Sequence, residues 1–375
     1  MTDCAMRVLS ITPTYFPHMG GMEQVVRSLA SHLAPLGVQM DIAHVATEHK
    51  AFSCEELDGL KVWRVPLKGH RLVGLAPDLR RITGDYDLLH VHDGQLMAIT
   101  ANARLFGRGV PAVLSTHGGF WHTPQFGAFK RLWQAAALRP MLAGYRAVLG
   151  SSPADTAFFA AYHPRVLNCG NGIEAASFNI CQTSQARDVC RWIYWGRLSR
   201  NKRVDLVLEY AAAARRQGYP VDLLVCGRDF EGLAEGLARQ AERLQLGDAV
   251  RFVSRLSQEE LLAELSGRGV AITATEHEGF GLAIVEAQAA GMIVVCRDIA
   301  PINSFIADGQ SGWFLAFDRT SADFARLFAL LDLAGPPRAQ MAAAAASQAQ
   351  AYDWAVVAAQ YKANYLAALE RQGAS

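Results

Sequence analysis

The sequence has almost no net charge and few charged residues. Its 375 residues include 36 lysines and arginines against 35 aspartates and glutamates, a formal charge of +1. Nucleic-acid-binding proteins usually carry a strong basic excess, so this balance argues against that class. Because 51% of the residues are hydrophobic and 19% are charged, the composition also excludes a disordered chain. The length fits two domains better than one.

Long apolar runs and paired cysteine motifs are also missing. No uninterrupted apolar run reaches the roughly 18 residues of a membrane span, and the first residues hold too few apolar side chains for a signal peptide. The seven cysteines form no C-x-x-C pair and lie mostly in apolar runs, as in reduced intracellular proteins. These absences predict a cytoplasmic protein, and any membrane contact would be peripheral, on the inner face of the cell membrane.

Metal-site spacing is absent as well. Asp85-Tyr86-Asp87 matches the D-x-D pattern that holds divalent ions, but it precedes a strand and would lie at the wrong edge of a sheet. We interpret it as a turn and predict no metal. "GNGIEA" at 170–175 matches a dinucleotide-binding pattern, but no convincing helix pattern follows it.

Short apolar runs alternate with longer helical patterns along nearly the whole sequence. Such runs are typical of parallel strands buried on both faces and joined by right-handed crossover helices. We predict strands at 7–11, 40–45, 61–67, 88–92, 112–116, 147–151, 165–168, 192–195, 222–226, 250–253, 270–274, 293–296 and 313–316. The pattern indicates an α/β protein with two doubly wound, Rossmann-like domains in tandem.

Apolar periodicity is lost between Phe178 and Arg191. This places the join between domains 1–180 and 181–375. A long terminal helix is predicted at 347–369. In doubly wound sheets ligands bind outside the carboxyl ends of the strands, so the loops that follow strands are where binding residues are expected.

Two cations follow the strand at 192–195. Gly196 permits a close approach of the backbone, and Arg197 and Lys202 come after it with no acid between them. Two uncompensated cations at the carboxyl end of a strand suit a diphosphate. The alternative is a solvated basic loop.

The loop after the strand at 270–274 combines two acids with two glycines. Glu278 and Glu286 are eight residues apart, and the second lies inside a predicted helix, where it can accept hydrogen bonds from paired hydroxyls of a sugar or ribose. Backbone N–H groups at the start of that helix form an anion site. The binding residues expected there are Gly279, Phe280, Gly281 and Leu282. The alternative is an ordinary helix start with acids that favour the helix dipole.

Histidines follow or end two strands of the first domain. His117 comes directly after the strand at 112–116 and before two glycines, which makes it a catalytic candidate. His122, on a longer loop beside Trp121, is a second candidate. His90 and His92 fit a structural and a functional role equally, and His90 is expected in the core.

The first strand is followed by a loop with two prolines and a glycine pair, "TPTYFPHMGGMEQV" at 12–25. Pro13 and Pro17 stiffen it. Gly20 and Gly21 remove side chains that would block a diphosphate, and they supply amides at the start of the next helix. The alternative is a plain helix entry, which needs one glycine and a shorter loop.

Basic residues are concentrated between residues 61 and 146, where twelve oppose four acids. Within this region the segment 126–146 mixes aromatic residues with cations, as an interfacial segment does. The pattern predicts attraction to an anionic membrane surface. An ordinary helical hairpin with a basic face is an equal alternative.

Together these motifs resemble the retaining GT-B glycosyltransferases of family GT4. The likeness rests on the glycine pair after the first strand, His117, "CGNGIEAASF" at 169–178, Arg197 with Lys202, and the E-x7-E spacing of Glu278 and Glu286. It covers nearly the whole sequence, from residue 7 to "YDW" at 352–354, which resembles the family's return helix.

The resemblance implies two domains that face a cleft, with the acceptor bound by the first domain and a nucleotide sugar bound by the second. It also implies that the C-terminal helix, at about 352–370, packs back on the first domain. It implies that Arg197 and Lys202 neutralise the donor diphosphate. Glu278 and the amides of 279–281 would hold the transferred sugar, and Glu286 the ribose. No cofactor beyond the donor substrate is required.

The resemblance also implies retention of the sugar's configuration. His117 is expected to contact the sugar near the scissile bond, and no obvious carboxylate nucleophile pairs with it. We therefore expect attack on the departing face, with the leaving phosphate accepting the proton of the acceptor.

Two stretches, "STHGGFWHT" at 115–123 and "GRLSRNKRVD" at 196–205, further resemble bacterial α-mannosyltransferases of exopolysaccharide assembly, which add mannose from GDP-mannose to a lipid-diphosphate-linked glucan disaccharide. Arg203 stands where many relatives have glycine. A GT4 enzyme that uses UDP-glucose or UDP-GlcNAc on another acceptor is the main alternative. A sugar-nucleotide epimerase, a phosphorylase and a non-catalytic binding module are the others.

Overall fold

The computed structural model describes residues 5–17, 20–93, 98–118, 133–179 and 187–370. The chain divides into two compact units. The first is Met1–Gly172 together with Trp354–Ser375, and the second is Ile173–Asp353. The boundary predicted between residues 180 and 181 lies outside the described residues and stays a prediction.

The first unit is built on an eight-stranded sheet. Its strands are β1 (Met6–Thr12), β2 (Val38–Ala46), β3 (Ser53–Leu57), β4 (Leu60–Pro66), β5 (Leu88–His92), β6 (Ala112–Ser115), β7 (Ala147–Gly150) and β8 (Val166–Asn168). They lie in the order β3-β4-β2-β1-β5-β6-β7-β8, and all neighbours are parallel except β3 and β4. Strands such as β5 are buried along their whole length, which explains the continuous apolar runs.

β3 was missed by the sequence prediction. It is an edge strand that pairs antiparallel with β4, and four of its five residues are exposed. Its centre is Cys54-Glu55-Glu56, so it has no apolar run to reveal it. Acidic side chains on an exposed edge also oppose pairing with another chain.

The second unit contains a six-stranded, fully parallel sheet. Its strands are β9 (Asp188–Trp195), β10 (Asp222–Cys226), β11 (Val250–Val253), β12 (Arg268–Ile272), β13 (Ile293–Cys296) and β14 (Trp313–Phe314). They lie in the order β11-β10-β9-β12-β13-β14. The order reverses between β9 and β12, and ligands of doubly wound sheets bind outside the carboxyl ends of the strands at such a point.

Helices connect the strands of both units. In chain order they are α1 (Gly21–Leu33), α2 (Ala98–Phe106), α3 (Arg139–Leu142), α4 (Pro153–Ala160), α5 (Ala175–Asn179), α6 (Val204–Arg216), α7 (Ala234–Arg243), α8 (Gln258–Gly267), α9 (Leu282–Ala289), α10 (Ser321–Leu331), α11 (Gly335–Ala349) and α12 (Trp354–Leu369). Among these described helices, none is long and apolar enough to cross a bilayer. The two doubly wound α/β units confirm the predicted fold class.

The C-terminal helix returns to the first unit. The single helix predicted at 347–369 is wrong in its first turns, because a 3-10 turn at Gln350–Tyr352 and the extended Asp353 separate α11 from α12. Trp354, the first residue of α12, packs so close to Gly172 that a Cβ there would lie 2.2 Å from the indole ring. This close approach gives Gly172 of the "GNGIEA" motif a packing role.

Candidate active site

Lys202 and Glu278 form an ion pair at the carboxyl edge of the second unit's sheet. Lys202 ends a 3-10 helix in the loop after β9, and Glu278 lies in the loop after β12. The Lys202 Nζ donates to Glu278 Oε1, and the two side chains are only 13% and 16% exposed. The sequence predicted Lys202 to be an uncompensated cation, whereas the structure pairs its charge with Glu278.

Backbone hydrogen bonds hold the two loops together. The Glu276 N–H donates to the carbonyl of Asn201 at 2.8 Å, and the Asn201 side-chain amide donates to the carbonyl of His277 at 3.2 Å. These bonds are made by the residues that immediately precede Lys202 and Glu278 in sequence. The positions of the cation and the acid are therefore fixed by main-chain geometry as well as by their own attraction.

Arg203 adopts a left-handed backbone conformation, which favours glycine. Its φ is +49°, a region that costs an L-residue about 1 kcal/mol or more. Its guanidinium is held in place by Asp205, at 2.7 Å, and by Glu276, at 2.8 Å. Asp205 and Glu276 therefore both form ion pairs with Arg203. The loop keeps a turn that glycine would adopt at lower cost.

Arg197 is exposed next to the ion pair. Its carbonyl accepts a 2.7 Å hydrogen bond from the Tyr194 hydroxyl, and its guanidinium lies 5.7 Å from the centre of the Phe230 ring. Burial raises the pKa of Tyr194, the charge of Glu278 raises it further, and the charge of Arg197 opposes the rise. The charges of Arg197 and Glu278 are thus both close enough to the Tyr194 hydroxyl to change its pKa.

The helix start predicted after Glu278 is present. Gly281 precedes α9 with φ +99°, a conformation that favours glycine, and its carbonyl accepts from the N–H groups of Ile284 and Val285. The Phe280 side chain is buried against Phe305. It anchors the turn through its ring, so only its backbone is available to a ligand.

Glu286 lies within α9 and faces the end of β9. The Trp195 indole N–H donates to Glu286 Oε2 at 3.3 Å. Burial raises the pKa of Glu286, and the Trp195 hydrogen bond partly offsets the rise. The strand–helix contact therefore orients a carboxylate whose proton affinity is higher than usual.

In the first unit, His117 follows β6 and contacts His92 of β5. The distance between His117 Nε2 and His92 Nδ1 is 3.0 Å. Burial lowers the pKa of His117 to about 4, although the charge of Asp155 acts in the opposite direction. The imidazole is therefore neutral near pH 7. His122 lies outside the described residues.

Asp155 stabilises the loop that carries His117, and the sequence prediction missed it. Its Oδ2 accepts from the Thr116 hydroxyl at 2.8 Å, the Ser151 hydroxyl at 2.6 Å and the Gly118 N–H at 3.2 Å. The available signal was "SPAD" at 152–155, an N-cap serine with an acid three residues later. That pattern predicts a helix start and carries no sign of a functional role.

The glycine pair opens α1 with different surroundings at its two positions. A Cβ on Gly20 would lie 2.7 Å from the Glu23 carboxylate, whereas a Cβ on Gly21 meets no atom within 4 Å. The close approach at Gly20 is thus made by the chain's own acid in the first helical turn, where it favours the helix dipole. A diphosphate at this position stays a prediction.

We expect Gly21→Val to lower glycosyl-transfer turnover by about tenfold with little change in melting temperature, since a side chain there meets open space but would obstruct an approaching phosphate. The matched control is Gly236→Val, another helical glycine with no atom within 4 Å of an added Cβ. Wild-type turnover in Gly21→Val would show that the loop connects β1 to α1 and has no role in donor binding.

Family models match both units of the chain. A model described as "Glycosyl transferases group 1" matches residues 188–348, and one described as "Glycosyl transferase 4-like domain" matches residues 20–166. The GDP-mannose:cellobiosyl-diphosphopolyprenol alpha-mannosyltransferase of Komagataeibacter xylinus is 29% identical, across 98% of this chain and 95% of its own. That of Xanthomonas campestris is 29% identical, across 97% of both chains.

The chain is a GT-B glycosyltransferase of family GT4. Two solved structures share the fold of this glycosyltransferase. A glycosyltransferase from Rickettsia africae has a TM-score of 0.75 at 14% identity, covering 97% of this chain and 98% of its own. Anabaena Alr3699/HepE, in complex with UDP and glucose, has a TM-score of 0.73 at 17% identity, covering 96% of this chain and 99% of its own.

One further side-chain cluster of the GT4 glycosyltransferase was missed from the sequence. His44 of β2 and Glu48 and His49, which follow β2, hold ligand atoms within 4.8 Å of one another. His44 Nδ1 is also 2.8 Å from an Arg64 guanidinium nitrogen and 3.1 Å from His49 Nε2. A cation already contacts the central nitrogen, so the geometry favours a hydrogen-bonded network over a metal site.

Proposed function

We propose that this glycosyltransferase moves mannose from GDP-mannose to a polyprenyl-diphosphate-linked oligosaccharide in bacterial exopolysaccharide assembly, with retention of configuration. Relatives named for GDP-mannose and cellobiosyl-diphosphopolyprenol, similar over nearly their full length, support these substrates. The observation that carries the catalytic assignment is the joined pair of loops after β9 and β12, which holds Lys202 against Glu278.

In the proposed donor site, Arg197 and Lys202 neutralise the diphosphate as its bond to the sugar breaks. The departing diphosphate gains negative charge, and one preorganised donor at such a place lowers the barrier by roughly 3 kcal/mol. Lys202 has a carboxylate partner in the protein itself, so its charge is already positioned before the donor binds. The pair of cations supplies the charge that a metal ion supplies elsewhere.

The acids of the E-x7-E pair accept hydrogen bonds from the donor in this proposal. Glu278 accepts from hydroxyls of the transferred sugar, together with the backbone N–H groups of Gly279, Phe280, Gly281 and Leu282. Glu286 accepts from the ribose hydroxyls. Its contact with Trp195 supports this role, because the indole N–H bonds Oε2 and thereby orients the carboxylate at the end of β9.

In the first unit, His117 is proposed to bond a hydroxyl of the substrate as a neutral imidazole. A low pKa makes His117 a weak proton acceptor, which argues against a role as general base. It suits attack on the departing face, where the leaving phosphate takes the proton of the acceptor. A covalent glycosyl-enzyme trapped on any side chain would overturn this route.

A nucleotide-release assay tests the proposed donor and acceptor. GDP-mannose, UDP-glucose and UDP-GlcNAc are each incubated with lipid-linked cellobiose, free cellobiose or no acceptor. We expect GDP release from GDP-mannose that depends on the lipid-linked acceptor. Faster release of UDP would replace the donor, conversion of a donor without acceptor would favour an epimerase, and no release from any combination would favour a binding module.

Peripheral membrane contact is proposed for the first unit, because its acceptor is lipid-linked. Two exposed apolar side chains, Val73 at 70% and Leu75 at 50%, lie in a loop that also carries the exposed Lys68 and Arg71. Apolar and basic groups side by side suit an anionic bilayer surface.

We expect a variant with Lys130, Arg131 and Arg139 neutralised together to bind less to anionic vesicles, because each base near such a surface contributes about 1 kcal/mol. Lys130 and Arg131 lie outside the described residues. Cosedimentation measures the effect, and neutralising Arg216, Arg243 and Arg338 of the second unit is the matched control. Unchanged sedimentation of the first variant would reject this contact.

A further inference from the structure

Three histidine rings lie side by side at the carboxyl ends of β5 and β6. His90 and His92 belong to β5, with ring centres 3.9 Å apart, and His117 stacks on His92 at 5.2 Å. His90 and His92 are fully buried, whereas His117 is partly exposed. The row therefore leads from the core of the first unit to a residue that a substrate can reach.

The outer two rings share one hydrogen bond, between His92 Nδ1 and His117 Nε2 at 3.0 Å. Burial lowers the pKa of both rings, so both are neutral near pH 7. A neutral imidazole carries a single N–H. One ring must therefore donate and the other accept, and this choice fixes the tautomer of both.

The surroundings of His92 decide which ring donates. Its Nε2 is buried and has no hydrogen-bond partner among the residues that the structure describes. If Nδ1 accepted, the proton of His92 would sit on Nε2 as a buried donor with nothing to bond. Buried N–H donors without a partner are rarer in proteins than buried acceptors without a partner. The proton of His92 is thus placed on Nδ1, and His92 donates.

His90, the inner ring, is not an alternative hydrogen-bond partner for His92. His90 Nε2 lies 2.7 Å from the Ser115 hydroxyl, and His90 Nδ1 lies 2.7 Å from the Tyr365 hydroxyl of α12. Both nitrogens of His90 are thus engaged by hydroxyls, and its contact with His92 is between the two tilted rings. The hydroxyls of Tyr365 and Ser115 fix the His90 ring, and the His92 ring packs against it.

We propose that His92 is a positioning residue that holds His117 in the tautomer protonated on Nδ1, so that His117 offers its substrate an N–H donor and not a basic lone pair. The inference rests on the proposed substrate contact of His117. In this contact His117 donates the hydrogen bond, and the substrate group accepts it through an atom such as a sugar hydroxyl oxygen.

The tautomer protonated on Nδ1 is also consistent with the departing-face route, in which His117 takes no proton. With Nε2 accepting from His92, His117 has no remaining lone pair to take the acceptor's proton. The proton must therefore leave by another group, which in the proposed route is the phosphate. Asp155, which fixes the loop through Gly118 and Thr116, keeps the ring at the same place.

Nitrogen-15 NMR of histidine-labelled protein tests the tautomer without any activity measurement. A protonated ring nitrogen and a bare one give well-separated signals, and His117→Gln identifies those of residue 117. We expect wild-type His117 to be protonated on Nδ1 and bare on Nε2. In His92→Leu this preference is lost, whereas His92→Asn, whose amide N–H can replace Nδ1–H, retains it.

Kinetics supply the second readout. We expect His92→Leu to lower kcat for glycosyl transfer by about tenfold to a hundredfold with a smaller change in donor KM, and His92→Asn to recover most of the loss. A wild-type His117 protonated on Nε2 would overturn the inference, and so would a tautomer unaffected by His92→Leu. If the tautomer is as expected but no donor supports transfer, the proposed function fails while the positioning role of His92 stands.

Discussion

Replacement of Lys202 by alanine is expected to lower kcat by about 10²- to 10³-fold, the loss typical of one preorganised charge partner at a site of developing negative charge. The variant also leaves Glu278 buried without its ion-pair partner, which destabilises the fold by up to about 3 kcal/mol. Turnover is therefore measured per folded molecule, at a temperature below the melting transition of the variant. Thermal unfolding followed by circular dichroism gives that transition.

The matched control is Arg200→Ala, two residues earlier in the same loop. Arg200 is also a cation, but its side chain is 85% exposed and its partner, Glu231, is 3.7 Å away. We expect near-wild-type kcat in this variant, because exposed pairs contribute little and this guanidinium faces solvent. Equal losses in the two variants, or wild-type turnover in Lys202→Ala, would defeat the phosphate-site assignment.

Replacement of Glu286 by glutamine is expected to raise the donor KM by about tenfold to a hundredfold with a smaller change in kcat. A hydrogen bond to a charged acceptor contributes about 1.5–3 kcal/mol, and the amide offers only one weaker acceptor in its place. The exposed Glu259→Gln, at the start of α8, is the control. An unchanged donor KM in Glu286→Gln would remove the ribose assignment.

Donor binding should also depend on pH through Glu286. Only the ionised carboxylate accepts two hydroxyl bonds, so the donor KM rises as the pH falls through the pKa of this residue. Because burial raises that pKa, the rise begins at a higher pH than for an ordinary glutamate. Trp195→Phe removes the indole donor that opposes the shift, so its midpoint should lie higher still, and Glu286→Gln should show no such dependence. A midpoint that Trp195→Phe does not move would contradict the assigned contact.

The strands of both sheets could be predicted because each buried strand is a continuous apolar run between turn residues. β3 could not, since its exposed edge position requires no apolar side chain. The break at Asp353 was missed for a related reason. Alanine-rich helices on both sides hide a short 3-10 turn, and only the tertiary contact of Trp354 with Gly172 reveals where α12 begins.

The residues of the candidate site could be found from their positions after strands, but their mutual contacts could not. Lys202 and Glu278 are 76 residues apart in sequence, and the bonds of Asn201 with Glu276 and His277 that join their loops leave no pattern in the sequence. His92 was equally ambiguous, because its role depends on a partner, His117, that follows the neighbouring strand.

The most direct test of the central claim is the product formed from GDP-mannose and lipid-linked cellobiose. Mass spectrometry and NMR of the released glycan measure the added mass and the configuration of the new bond. We predict one added hexose in α-linkage, formed by the wild type and greatly reduced in Lys202→Ala. GDP release without a glycosidic product, or a β-linked product, would contradict a retaining mannosyl transfer at this site.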